Sequence, residues 1–219
     1  GAGNSSTTGG KNIALGYQAM KNGVTTGACN ISIGANAGDD LTSGDSNIFM
    51  GSYAGSQITT TDYNVAIGVN AIGLGANTGT MQVAIGYGAM KDSTNGSYNV
   101  AIGADAGKAT TTSCDSVFIG YYAVGKSAVT GNGHVIIGQR AGVDMTGAAA
   151  CNTFIGACAG HSVTTGSDNV IIGRAAVPAS ITGDSQLAIG IAANNWISGD
   201  SSFHIKPGAG IRDNTNSLG

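Results

Sequence analysis

Charge is what this chain has least of. Charged residues occupy 10% of its 219 positions, against about 25% in ordinary globular domains. The nine Lys and Arg are scattered and the net charge is −3, so there is no basic footprint for nucleic acid or an anionic membrane surface. There are two prolines and one tryptophan. No apolar run is long enough to insert across a bilayer as a helix. The four cysteines never form a C-x-x-C pair, so zinc spacing is missing and no metal or other cofactor is implied. No glycine-free stretch exceeds twelve residues. Each interior glycine costs a helix about 1 kcal/mol, which argues against helices throughout.

What the chain has in excess is glycine, 38 residues, and the glycine is periodic. Gly16, Gly34, Gly51, Gly68, Gly86, Gly103, Gly120, Gly138, Gly156, Gly173 and Gly190 recur at gaps of 17 or 18 residues. An aliphatic residue precedes each, from Leu15 to Ile189, and an alanine follows three residues later, from Ala19 to Ala193. Self-similarity at one short period marks a stack of identical units. The expected fold is all-β, a parallel β-solenoid or β-roll of about twelve 17–18-residue rungs over residues 1–205. The twelfth, degenerate rung falls at Phe203-His204-Ile205. Ala2-Gly3 matches the tail half of a rung, which predicts a start in mid-repeat within a longer fibrous protein. Residues 206–219 lose the repeat and read as an exit segment toward a following domain. So uniform a repeat has few unique positions for chemistry and argues against an enzyme.

One rung reads N-V-A-I-G-x-x-A-G-x-x-x-T-T-G-D-x. Asn12, Asn30, Asn47, Asn64, Asn99, Asn152 and Asn169 open it. The three residues that follow form a strand, with Val and Ile two apart on one face and the residue between them on the other. That middle column runs Ala14, Ser32, Phe49, Ala66, Ala84, Ala101, Phe118, Ile136, Phe154, Ile171, Ala188, His204. It is mostly apolar, so the strand is expected to be covered on both faces. Val and Ile are assigned to a thin coil core. Phe49, Phe118, Ile136, Phe154 and Ile171 are assigned to packing between chains, around the axis of a homotrimer. The rest of the rung is expected to supply a second short strand and a Thr/Ser-Gly turn, as at Thr26-Gly27 and Thr165-Gly166, with glycine there providing positive φ. The repeat glycine itself is placed at a corner needing positive φ or close backbone approach. Rung spacing keeps the cysteines apart. Cys29 and Cys151 fall roughly 34 Å from each other, Cys114 and Cys151 about 10 Å, beyond disulfide reach. Four free thiols suit assembly in a reducing cytoplasm.

The N-V-A-I-G-x-x-A string, clearest at 12–20, 64–71 and 99–107, resembles two sets of proteins. One is the head of trimeric autotransporter adhesins, a β-roll trimer whose unit is nearer fourteen residues. The other is the repeat segments of bacteriophage tail fibres. The resemblance covers about residues 2–205 and implies a homotrimer. With free thiols and few charges, it points to a structural, non-enzymatic segment of a viral tail fibre. Such a segment is assembled in the host cytoplasm, carried on the virion, and presents a tip that binds a host receptor. The other reading is a bacterial cell-surface adhesin head, or a lectin-like region contacting cell-surface glycans.

Several residues stand out against that background. Tyr17, Tyr53, Tyr87, Tyr121 and Tyr122 gather just after the repeat glycine and are candidates for stacking on sugars, with packing against a neighbouring rung or chain as the plainer role. The turn threonines Thr8, Thr26, Thr60, Thr78, Thr112, Thr130, Thr165 and Thr182 form a ladder of the kind seen on ice-binding faces. Its breaks at Ser43, Asn95 and Ser198 favour hydroxyls bonding the turn backbone. Asp45 and Asp62, and Asp184 and Asp200, follow turns on adjacent rungs and are expected to be solvated. His134, His161 and His204 lack a catalytic neighbour at motif spacing. Trp196 is expected to plug the last coil.

Overall fold

The computed structural model describes residues 9–22, 25–202 and 205–207. Ala2, Gly3, Thr8, Phe203, His204 and residues 208–219 lie outside them. The described residues hold no helix and thirteen strands in one sheet: β1 Ile13–Leu15, β2 Ile31–Ile33, β3 Ile48–Met50, β4 Val65–Ile67, β5 Val83–Ile85, β6 Val100–Ile102, β7 Val117–Ile119, β8 Val135–Ile137, β9 Thr153–Ile155, β10 Val170–Ile172, β11 Leu187–Ile191, β12 Asn194–Gly199 and β13 Ile205–Pro207. Strands β1 to β11 stack in parallel, each in register with the next, as Val65 with Val83 and Ala66 with Ala84. At about 4.8 Å per rung the stack is roughly 48 Å long. It is a β-solenoid. Rungs are numbered below by their strand.

Each rung has one regular strand where two were expected, of three residues in rungs 1 to 10 and of five in rung 11. On the opposite side only single bridges form, Thr110 with Val129 and Val129 with Gly147. The stack ends before a twelfth rung. β12 turns back antiparallel on β11, and β13 is antiparallel to β12, so Ile205 aligns with Gly199. Pro207, which has no N–H to donate, sits on this edge strand, where proline is tolerated. Trp196 lies on β12 with 55% of its surface exposed and plugs nothing.

The two faces of the strand are the reverse of the sequence expectation. The middle residues Phe49, Ala66, Ala84, Ala101, Phe118, Ile136, Phe154 and Ile171 are fully buried within the single chain. They fill the coil core, together with the repeat alanines Ala19, Ala37, Ala54 and their successors. The flanking Val and Ile point outward. The opening Asn dictates this parity: it turns inward, and alternation then sends Val out, Ala in and Ile out. Core volume is balanced between two positions. Phe49 lies where side chains on Gly38 and Gly55 would stand, and Phe154 likewise meets Gly142 and Gly160. Where the middle residue is Ala66 or Ala84, the matching corner carries buried Ile72 or Met90. Small beside large in one layer keeps the interior filled.

Corners come from backbone conformation. Residues just before the opening position, such as Tyr63 and Tyr98 (both φ 61), are left-handed, as are those two and four after the repeat glycine, such as Tyr53 (φ 58) and Gly55 (φ 59). The repeat glycines from Gly16 to Gly173 have φ between 121 and 139, a region open essentially to glycine alone. Gly190, inside β11, does not share it. The turn glycines Gly27, Gly44 and Gly166 do not have positive φ either. They are required by space, because an added Cβ would run into the carbonyl of the next rung's turn.

Candidate assembly face and corner columns

A ladder of buried amides holds the rungs to one another. The Asn47 backbone N–H donates to Asn30 Oδ1 at 2.8 Å, Asn64 N–H to Asn47 Oδ1 at 2.9 Å, and Asn169 N–H to Asn152 Oδ1 at 3.0 Å. The same side chains donate onward, Asn30 Nδ2 to Gly44 O at 2.8 Å and Asn152 Nδ2 to Gly166 O at 2.9 Å. Each amide therefore satisfies groups on two sides of the coil, and an unpaired buried polar group would cost about 1–3 kcal/mol. The sequence carries the signal, seven asparagines at one column, but its reading gave them no interior role.

His134 takes that place in rung 8 and fits it imperfectly. Its Nδ1 accepts from Asn152 N–H at 3.4 Å, and Nε2 has no hydrogen-bond partner. Burial holds its pKa down at about 4, against the opposing pull of the Ala149 and Gly131 carbonyls. The sign follows from where the proton goes. Below the ordinary 6.5 the unfolded chain binds a proton that the folded chain refuses until about 4. Stability is therefore complete above 6.5 and falls as the pH drops toward 4, the loss approaching about 3 kcal/mol per chain. His134→Asn is expected to remove this acid sensitivity. Thermal melts of both proteins between pH 7 and 4.5 check it: the gap in Tm should widen on acidification, and a gap independent of pH contradicts it.

Other polar columns are also tied to backbone. Asp45 Oδ1 accepts the Ala28 N–H at 2.6 Å, Asp62 Oδ1 the Asp45 N–H at 2.7 Å, and Asp184 Oδ1 the Ser167 N–H at 2.7 Å. Asp45 and Asp184 are exposed and Asp62 half-buried, and these carboxylates also bridge rungs. Among the turn threonines, Thr26 and Thr78 bond backbone carbonyls, at 3.4 and 3.5 Å. The preceding column does so more closely, with Thr42 on Thr59 O and Thr94 on Thr111 O, both at 2.9 Å. All four cysteines are unpaired. Among the described residues no cluster of three His, Cys, Asp or Glu side chains forms. One open depression, about 220 Å³, is lined by Asp39, Asp40, Tyr53, Ser56, Gln57, Gly73 and Leu74. Burial, and then the charge of Asp40, hold the Asp39 carboxyl above its ordinary pKa, and Asn22 Nδ2 donates to both carboxylates.

The largest feature is the outer face of the parallel sheet. Two aliphatic columns run its length, Ile13 to Leu187 and Leu15 to Ile189, interrupted only by Thr153. They keep substantial exposure, 64% at Leu15, 37% at Ile102 and 38% at Ile155. The face is bounded by two corner columns. One follows the repeat glycine and holds Tyr17, Tyr87 and Tyr121, all exposed, with Tyr53 and Tyr122 one residue further on. The Tyr121 and Tyr122 rings lie 5.7 Å apart. The other tyrosines stand on separate rungs, so they form no single cluster. The opposite corner, unremarked in the sequence, presents Tyr63, Met81 and Tyr98 on three successive rungs, all exposed. The column before the opening Asn is where they were to be found.

No protein-family model, curated protein or solved structure matches the chain.

Proposed function

We propose that this chain is a non-enzymatic rod segment that associates with copies of itself through the two aliphatic columns. In this reading it is part of a trimeric viral tail fibre that extends and presents a receptor-binding tip. The observation that carries it is the uncovered apolar face, about 48 Å long. Isolated monomers rarely leave so large a contiguous apolar patch in water. The face is only two side chains wide, so narrow strips converge on a common axis more readily than broad planes do, which favours three copies. The repeat's likeness to fibre segments supports the virion setting. Light scattering of the purified chain tests it: the expected mass is about three times 21.4 kDa, and a folded monomer at micromolar concentration contradicts it.

The exposed tyrosines favour a second reading, a surface that contacts host glycans, as in an adhesin head. Its test is a glycan array, where binding should be lost when Tyr17, Tyr87 and Tyr121 are replaced together.

A further inference from the structure

The two corner columns bordering the apolar face differ, and in four of the eleven rungs (1, 5, 7 and 10) the residues they carry complement each other. In rung 10 one corner carries Asp168 and the other Arg174, both exposed, and neither makes an ion pair within the chain among the described residues. Rung 7 sets Asp115 across from Tyr121, rung 1 Lys11 from Tyr17, and rung 5 Met81 from Tyr87. These are carboxylate with phenol, ammonium with aromatic ring, and thioether with aromatic ring, each a favourable pairing. No rung places two like charges at its two corners. Within one chain the paired corners cannot meet, because the extended strand between them holds them roughly 13 Å or more apart.

We infer that neighbouring copies stand parallel and in register, so that Asp168 of one copy forms an ion pair with Arg174 of the next. The inference rests on the self-association reading and adds polarity and register to it. Symmetry supplies the reason. Rotation about an axis along the stack brings the left corner of one copy to the right corner of its neighbour at the same rung. An antiparallel pair instead brings left to left with the rung order reversed. Centred on the stack, that would set Asp168 against Cys29 and Arg174 against Ala35, and both charges would be unmatched beside an apolar face. Charge matching of this kind fixes register and rejects the wrong arrangement.

Two experiments test this. Cys29 and Ala35 occupy opposite corners of rung 2. Ala35→Cys is introduced where Cys114, Cys151 and Cys158 are replaced by serine, and the assembled protein is oxidised. Parallel, in-register copies should cross-link into a covalent species whose non-reducing gel mass counts the copies, while the Ala35 parent should not. A protein that is oligomeric by light scattering but never cross-links overturns the register and leaves self-association standing. A monomer overturns both. In the second experiment, Asp168→Arg and Arg174→Asp should each raise the concentration for half-assembly roughly tenfold or more, and the double exchange should restore it. Single variants that assemble like the parent, or a double exchange that fails to rescue them, overturn the pairing.

Discussion

Phe118→Asp should leave no folded rod, whereas Ile102→Asp should leave a folded chain that no longer assembles. The two positions are neighbours in the sheet and belong to opposite faces. Phe118 is fully buried in the coil. Removing a core phenyl ring costs about 3–5 kcal/mol, and placing an unpaired carboxylate there adds to that. Ile102, at 37% exposure in the single chain, loses little on its own. Near the proposed axis, however, its replacement would bring several carboxylates together in an apolar contact. Circular dichroism and light scattering separate the outcomes. A Phe118→Asp protein with the parent's spectrum and Tm would show that the core tolerates charge and would remove the burial argument. An Ile102→Asp protein with the parent's mass would place the assembly surface elsewhere.

Gly103→Val should cost at least about 2 kcal/mol per chain, more than the same change at Gly190. Gly103 has φ 131, which a branched side chain reaches only under strain of about 1–3 kcal/mol. A Cβ there would also lie 2.7 Å from the Gly120 carbonyl carbon. That neighbour is backbone, in a column where every rung repeats the approach, so it has nowhere to move. Gly190 lacks the left-handed backbone. Its added Cβ would press on Asn194 and Asn195 of the terminal hairpin, which has fewer rungs holding it in place. Thermal unfolding of both variants decides the matter: equal Tm values would mean that the corner, as described, does not control stability.

The architecture was legible because one glycine column repeats without interruption and an Asn-Val-Ala-Ile-like string recurs beside it, its Asn replaced only at Gln82, Ser116, His134 and Gln186. The face assignment was not read correctly, although the sequence held the clue. Alternation alone says that Phe118 and Val117 point opposite ways but not which way is inward. The inward side is fixed by Asn99 and its equivalents, which bond the far turn, and by the exchange of volume between Phe49 and Gly38 or Gly55. Both are relations between positions distant in the rung, invisible to a pattern that looks only two residues ahead. The turn glycines were misread for a related reason. Local chemistry suggested positive φ, but the constraint at Gly27 comes from the Gly44 carbonyl of the next rung, seventeen residues away in the chain. The end of the stack could not be anticipated, since Leu187 to Ile189 still match the repeat and only the reversal at β12 breaks it.

The exchange of volume in the core has a consequence for how the chain finds its register. A ladder of identical steps is degenerate: one step could be looped out and the remaining steps would close over the gap with native-looking pairing. Each step recognises only its neighbours, so nothing distant would report the error. Phe49 removes that freedom. Its ring needs Gly38 below and Gly55 on its own level, so looping out the rung of Gly38 would set the ring against buried Met20 instead and overfill the layer. Phe154, with Gly142 and Gly160, does the same further along, and His134 marks a third level. The departures from the consensus thus act as addresses along an otherwise uniform ladder, and the irregular rungs make the count of rungs unique.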